Sequence, residues 1–132
     1  MKIKTFNQAY KLAKELFKQK DKINEVLNNA TNKQTENKDR LNQGLLHDLK
    51  MLKAMLKDYL SGKYKFSSRT IIYIVAGLLY FISPVDLIPD FLLGFGFVDD
   101  AAVLAMVIKR IKTELDKYKE LNTFDEVEVI DE

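Results

Sequence analysis

The sequence predicts an all-α fold: a small helical bundle of about four helices around a central apolar helical hairpin with a Ser-Pro and Asp-rich corner. Three observations predict it. Apolar residues recur three and four positions apart in several segments, the spacing of one helix face. Ile71 to Ile82 holds only apolar residues and one glycine, and the apolar run resumes at Phe91 after a break that contains both prolines of the chain. Finally, 132 residues form one domain by the usual prior and are enough to bury a core. The 47% hydrophobic and 30% charged fractions, with mean hydropathy −0.18, fit a soluble or peripheral protein better than a polytopic membrane protein.

In chain order, residues 3–27 carry Ile3, Phe6, Tyr10, Ala13, Phe17, Ile23, Val26 and Leu27, which predicts an amphipathic helix with lysines on its polar side. Residues 28–38 hold one alanine among Asn, Thr, Gln, Lys and Glu, and read as a polar linker that lets the first helix swing away. Leu41, Leu45, Leu49, Leu52, Leu56 and Tyr59 predict a helix over 40–60, stopped by Gly62. His47 lies about 200° from that stripe and reads as a surface residue rather than a ligand.

Ser67 or Ser68 caps the next helix, over 70–82, which is apolar on all sides and therefore surrounded by protein or by lipid. The twelve residues from Ile71 to Ile82 rise about 18 Å against roughly 30 Å of hydrocarbon, so alone this is a buried core helix or a re-entrant one. Gly77 offers a place where a neighbour approaches closely. In the corner, Ser83 fits an N-cap with Pro84 at the first helical position and Asp86 at the third, while Pro89 turns Ile88 away from helix and frees Asp90 to cap the next segment. Phe91 to Val98 alternates glycine with large apolar groups and reads as a tucked loop, with Asp99 and Asp100 capping a last helix over 100–121. That helix has its seam on Ala101, Leu104, Ile108, Ile111, Leu115 and Tyr118.

The expected organisation is a basic amphipathic helix and polar linker over 1–38, a helical domain over 39–121 and an acidic disordered tail over 122–132. Charge is divided unevenly. Residues 1–69 hold 16 Lys/Arg against 7 Asp/Glu and residues 70–132 hold 5 against 12, within a net charge of +2. Two halves that attract each other, or a basic half facing an anionic partner, both account for this, and within one compact domain the first is favoured. The lysines of the first half are spread around helices rather than striped with aromatics, so nucleic acid is not an expected partner. Without cysteine there is no disulfide, zinc-thiolate or thiol nucleophile, and the first residues have no apolar core of a secretory signal.

The stretch Leu78-Leu79-Tyr80-Phe81-Ile82-Ser83-Pro84-Val85-Asp86-Leu87-Ile88-Pro89-Asp90-Phe91, with Val98-Asp99-Asp100-Ala101 beyond it, resembles the signature of the YkvA-like family, a domain of unknown function. The resemblance covers residues 71–108, within the 39–121 domain. It departs at Phe91-Leu92-Leu93-Gly94, where many relatives have a third proline, which bears on the loop's shape. The resemblance implies no established activity, and it implies assignment to membranes.

The candidate corner is therefore Ser83, Pro84, Asp86, Pro89, Asp90, Asp99 and Asp100, with Phe91, Leu92, Leu93, Phe95 and Phe97 as the membrane or partner contact. Carboxylates at 86, 90, 99 and 100 are oxygen ligands of the kind a divalent cation takes. No calcium-loop spacing, base or nucleophile accompanies them, so structure outweighs metal, and no cofactor or catalytic residue is expected.

These residues support two readings of different class. In the favoured one the chain is a membrane-associated module for scaffolding or interaction, with both hairpin ends at the cytoplasmic face: Lys63, Lys65 and Arg69 at one end, Lys109, Arg110 and Lys112 at the other. Its partners are lipid or an integral membrane protein, or a second copy of the chain. In the alternative it is a cytoplasmic soluble bundle with a divalent-cation or small-ligand site at the aspartate corner.

Overall fold

The computed structural model describes residues 5–39, 41, 43–82 and 93–121, with the backbone alone for 93–101. These residues are all-α: α1 (Phe6–Leu16), α2 (Lys20–Glu36), α3 (Gln43–Leu60), α4 (Ser68–Ile82), α5 (Leu93–Arg110) and α6 (Lys112–Leu121). The corner residues Ser83, Pro84, Asp86, Pro89, Asp90, Phe91 and Leu92, and the acidic tail, lie outside the described residues.

α4 is the centre of the bundle, and α1, α2, α3 and α5 all lie against it. Ser67 starts it: the Thr70 N–H donates to the Ser67 hydroxyl at 3.3 Å, a side-chain N-cap. Ile71, Ile74, Val75, Leu78 and Phe81 are completely buried. Removal from water stabilises the fold by about 1.5–3 kcal/mol for each large apolar side chain. An apolar helix needs such a sheath, and here protein supplies it. Gly77 is where α5 crosses, since a Cβ there would lie 3.2 Å from Leu104 Cδ2 and Val107 Cγ2.

The expected leucine stripe forms α3, with Leu45, Leu49, Leu52 and Leu56 buried. Gly62 ends it at φ 79°, while the Lys63 N–H donates to the Asp58 carbonyl and the Gly62 N–H to the Tyr59 carbonyl, the pairing of a Schellman cap.

The long helix expected over 3–27 is two helices. Gln19 is extended at φ −106° and ψ 91°, so the chain redirects between α1 and α2, with Phe17 stacked on Tyr59 of α3 beside the break. The expected linker over 28–38 is helical as far as Glu36. Its polar residues fold back on the helix: Thr31 and Thr35 hydroxyls donate to the carbonyls four residues earlier, each at 3.0 Å, and Asn37 Nδ2 donates to the Lys33 carbonyl. Ile23, Val26, Leu27 and Ala30 continue a buried stripe beneath them.

Two further expectations change. The glycine-rich step after Leu92 is helical from Leu93, so Asp99 and Asp100 lie inside α5 rather than at the N-cap of a helix beginning at 100. The last helix is interrupted at Ile111, where α5 gives way to α6, and Val107 rather than Ile108 takes the fully buried place in the seam.

Candidate functional site at the two ends of the hairpin

At its closed end, α4 leads into the corner motif through Phe81 and Ile82. No basic residue occupies the last turn of α4, where the helix dipole is negative. α2 supplies one instead. Lys33 Nζ donates to the Phe81 carbonyl at 2.5 Å and lies 5.1 Å from the centre of the Phe81 ring. Two residues earlier on α2, the Thr31 hydroxyl accepts a hydrogen bond from Lys53 of α3 at 3.2 Å, and Lys53 is only 9% exposed. A lysine this buried is rare without a partner. The hydroxyl thus accepts from Lys53 while donating to the Leu27 carbonyl.

Of the expected contact residues, Leu93, Phe95 and Phe97 fall in the first turns of α5, followed on the same helix by Asp99 and Asp100. Among the described residues no three His, Cys, Asp or Glu side chains are grouped so as to hold a metal ion. His47 is exposed, as expected.

The open end joins the start of α4 to the end of α5. Arg69 lies over the Tyr73 ring, 5.0 Å from its centre, and its Nη1 donates to the Arg110 carbonyl at 3.4 Å. Arg110 Nη1 in turn donates to the Tyr73 hydroxyl at 3.5 Å. Phe6 stacks on Tyr73 and Tyr10 meets it edge-on at 5.1 Å, fastening α1 to α4. Lys14 lies 6.0 Å from the centre of the Tyr10 ring. The two basic clusters expected at the hairpin's outer ends are thus in contact through Arg69 and Arg110.

Beside them, the Glu114 carboxylate accepts the Ser67 N–H at 3.2 and 3.1 Å, so α6 closes the N-cap of α4. Burial pushes this carboxyl up, but hydrogen bonds from Ser67 and Thr70 and the charge of Lys117 together hold it below the ordinary value of 4.5. On α3, burial pushes the Asp48 carboxyl up, with His47 and Lys119 opposing the shift. Tyr118 of α6 donates to Asp58 Oδ2 at 2.6 Å and packs against Tyr64 and Phe66. A shallow groove of about 480 Å³ between the start of α2 and the end of α3 is lined by Lys20, Asn24, Lys57 and Ser61.

Sequence reasoning missed Lys33, Lys53 and Tyr73. For Lys53 a signal existed, because it lies four residues after Leu49 and three before Leu56, on the buried stripe of α3. Lys33 likewise continues the stripe of Val26 and Ala30.

No helix among the described residues is long and apolar enough to cross a membrane. Residues 70–106 match the family model "Protein of unknown function (DUF1232)". A curated relative, "Uncharacterized membrane protein YkvA" of Bacillus subtilis (strain 168), is 46% identical over 66 residues, which is 49% of this chain and 62% of the relative. The match thus spans less than two thirds of the relative's length. No solved structure matches the chain. α4, the corner and most of α5 make up the matched region, so the similarity to the DUF1232, or YkvA-like, family lies in residues 70–106.

Proposed function

We propose that the protein is a membrane-associated helical module that works by contact with lipid or an integral membrane protein, in scaffolding or interaction, and not by catalysis. The observation that carries this reading is the 46% identity to a protein named for the membrane. Attachment is from the surface. α4 spans 15 residues, about 22 Å of helix against roughly 30 Å of hydrocarbon, and its apolar sides meet other helices. A carboxylate at mid-bilayer would add about 2.5–3.5 kcal/mol of insertion cost, which keeps Asp86 and Asp90 at the interface. The contact surface in this reading is Phe91, Leu92, Leu93, Phe95 and Phe97, next to that corner.

The test is extraction of the membrane fraction from cells expressing the full chain at low level. The expected result is sedimentation with membranes and release by alkaline carbonate or high salt. Extraction by detergent alone would mean an embedded hairpin, and complete recovery in the soluble fraction at low salt would overturn the proposal.

The burial of α4 by protein favours a second reading, a soluble bundle that binds a divalent cation or small ligand at Asp86, Asp90, Asp99 and Asp100. It requires that Mg²⁺ or Ca²⁺ raise the Tm of the wild type and not of Asp86→Asn or Asp90→Asn. Equal response of all three proteins would remove it.

A further inference from the structure

We propose that Arg69, Tyr73 and Arg110 form a site for the phosphate of an anionic phospholipid headgroup, an inference that rests on the membrane reading. Two guanidinium groups gather on one tyrosine, Arg69 over its ring and Arg110 on its hydroxyl. Like charges repel, and such a gathering is stabilised when an anion lies between them. Among the described residues, ion pairs such as Lys22 with Glu25 and Lys112 with Asp116 do not include these arginines. The neighbouring carboxylate, Glu114, is taken up by the Ser67 N–H.

The Arg110 carbonyl, at the negative end of α5, offsets part of the Arg69 charge but uses one N–H of that guanidinium. Arg110 likewise spends one on Tyr73. Each guanidinium has five N–H donors, both residues are exposed, and the remaining donors can grip phosphate oxygens in the paired geometry that arginine favours.

The surroundings favour lipid over free phosphate. Phe6, Tyr10 and Tyr73 form a contiguous, partly exposed aromatic surface beside the arginines, with Lys14 next to Tyr10. Aromatic rings with a polar edge next to basic groups match the headgroup layer, where ring and cation each meet their preferred medium. A soluble phosphate would use the arginines and leave the rings idle. The open end of the hairpin then faces the membrane surface in place of the corner end, while the surface attachment of the module is unchanged.

The test is flotation of the purified full chain with phosphatidylcholine vesicles and with equimolar phosphatidylcholine/phosphatidylglycerol vesicles, at low and high salt. Wild type should float with the mixed vesicles at low salt only. Arg69→Gln and Arg110→Gln should each weaken binding about fivefold, the effect of one basic group at an anionic surface. The charge-keeping Arg69→Lys/Arg110→Lys double variant should also bind more weakly, because lysine lacks the fork and the ring stacking, while Lys22→Gln should not. Tyr73→Phe keeps the ring and removes the acceptor of Arg110, so it should weaken binding with an unchanged Tm.

Wild-type binding that none of the Arg or Tyr73 variants alters would overturn the site and leave membrane association standing. Failure of wild type to float, with a Tm that inorganic phosphate raises in wild type but not in an Arg69→Gln/Arg110→Gln double variant, would overturn the lipid assignment in favour of free phosphate. Tighter binding to a DNA duplex than to the mixed vesicles at equal salt would overturn it as well.

Discussion

Gly77 and Gly62 occupy positions where a single methylene decides the outcome, for opposite reasons. At Gly77 the constraint is a neighbour: Leu104 and Val107 of α5 are 3.2 Å from where a Cβ would be. Alanine gains about 1 kcal/mol of helix propensity against that crowding, whereas Gly77→Leu overpacks the crossing and should destabilise the fold by about 1–3 kcal/mol in urea melts. Leu104→Ala in the same chain should recover part of the loss, the coupling expected of residues in contact. At Gly62 nothing lies within 4 Å, and the constraint is the backbone itself, at φ +79°. Gly62→Ala should therefore cost about 1 kcal/mol with no change in the slope of the denaturant curve. Both glycines were legible in the sequence, one alone in an apolar helix and one just past a leucine stripe. Tyr73 was not, because its role comes from Phe6 and Arg110, whose approach is a tertiary fact.

At the scale of elements, α6 reaches back to close the start of α4, and pH reads this contact. Because Glu114 titrates below 4.5 in the folded chain, its contribution to stability is fully present above that value and is lost as pH falls through the lower folded value. Glu114→Gln should be less stable than wild type at neutral pH, and the gap should narrow in acid, as tracked by Tm against pH. Asp48 carries the opposite sign. Burial raises it above 3.8, so its charged form opposes folding as pH rises through the raised value, and Asp48→Asn should widen, not narrow, the stability margin at neutral pH. The element boundaries show what periodicity misses. Residues 28–36 look like a linker because Asn, Thr and Gln dominate the count, yet Val26, Leu27 and Ala30 hold the helix down and the hydroxyls bond inward. The corner motif stood out from its prolines and aspartates, while Lys33 of α2, which meets the end of α4, is separated from Phe81 by 48 residues and has no local signal linking it to that end.

For the whole molecule, the question is whether the sheath around α4 opens in parts or as one. α1 has 11 residues, fewer than the about 12–15 an isolated helix needs to be even marginal in water. Its order thus depends on docking, through fully buried Ala9 and Ala13 and the Phe6–Tyr10–Tyr73 contacts. The same contacts tie residues 6–16 to the matched stretch, and α2 ties on through Lys33 and Phe81. Hydrogen exchange in rising urea should then show the amides of Ala13, Leu52 and Ile74 merging into one opening reaction with the global unfolding free energy. A separate, lower-energy opening at Ala13 would mean that α1 leaves α4 while the rest stays folded. In that case one side of the most apolar helix would be available to lipid, and attachment would run through α4 itself. Merging of the three keeps α4 covered and confines membrane contact to the outer surface, at the corner or at the arginine pair.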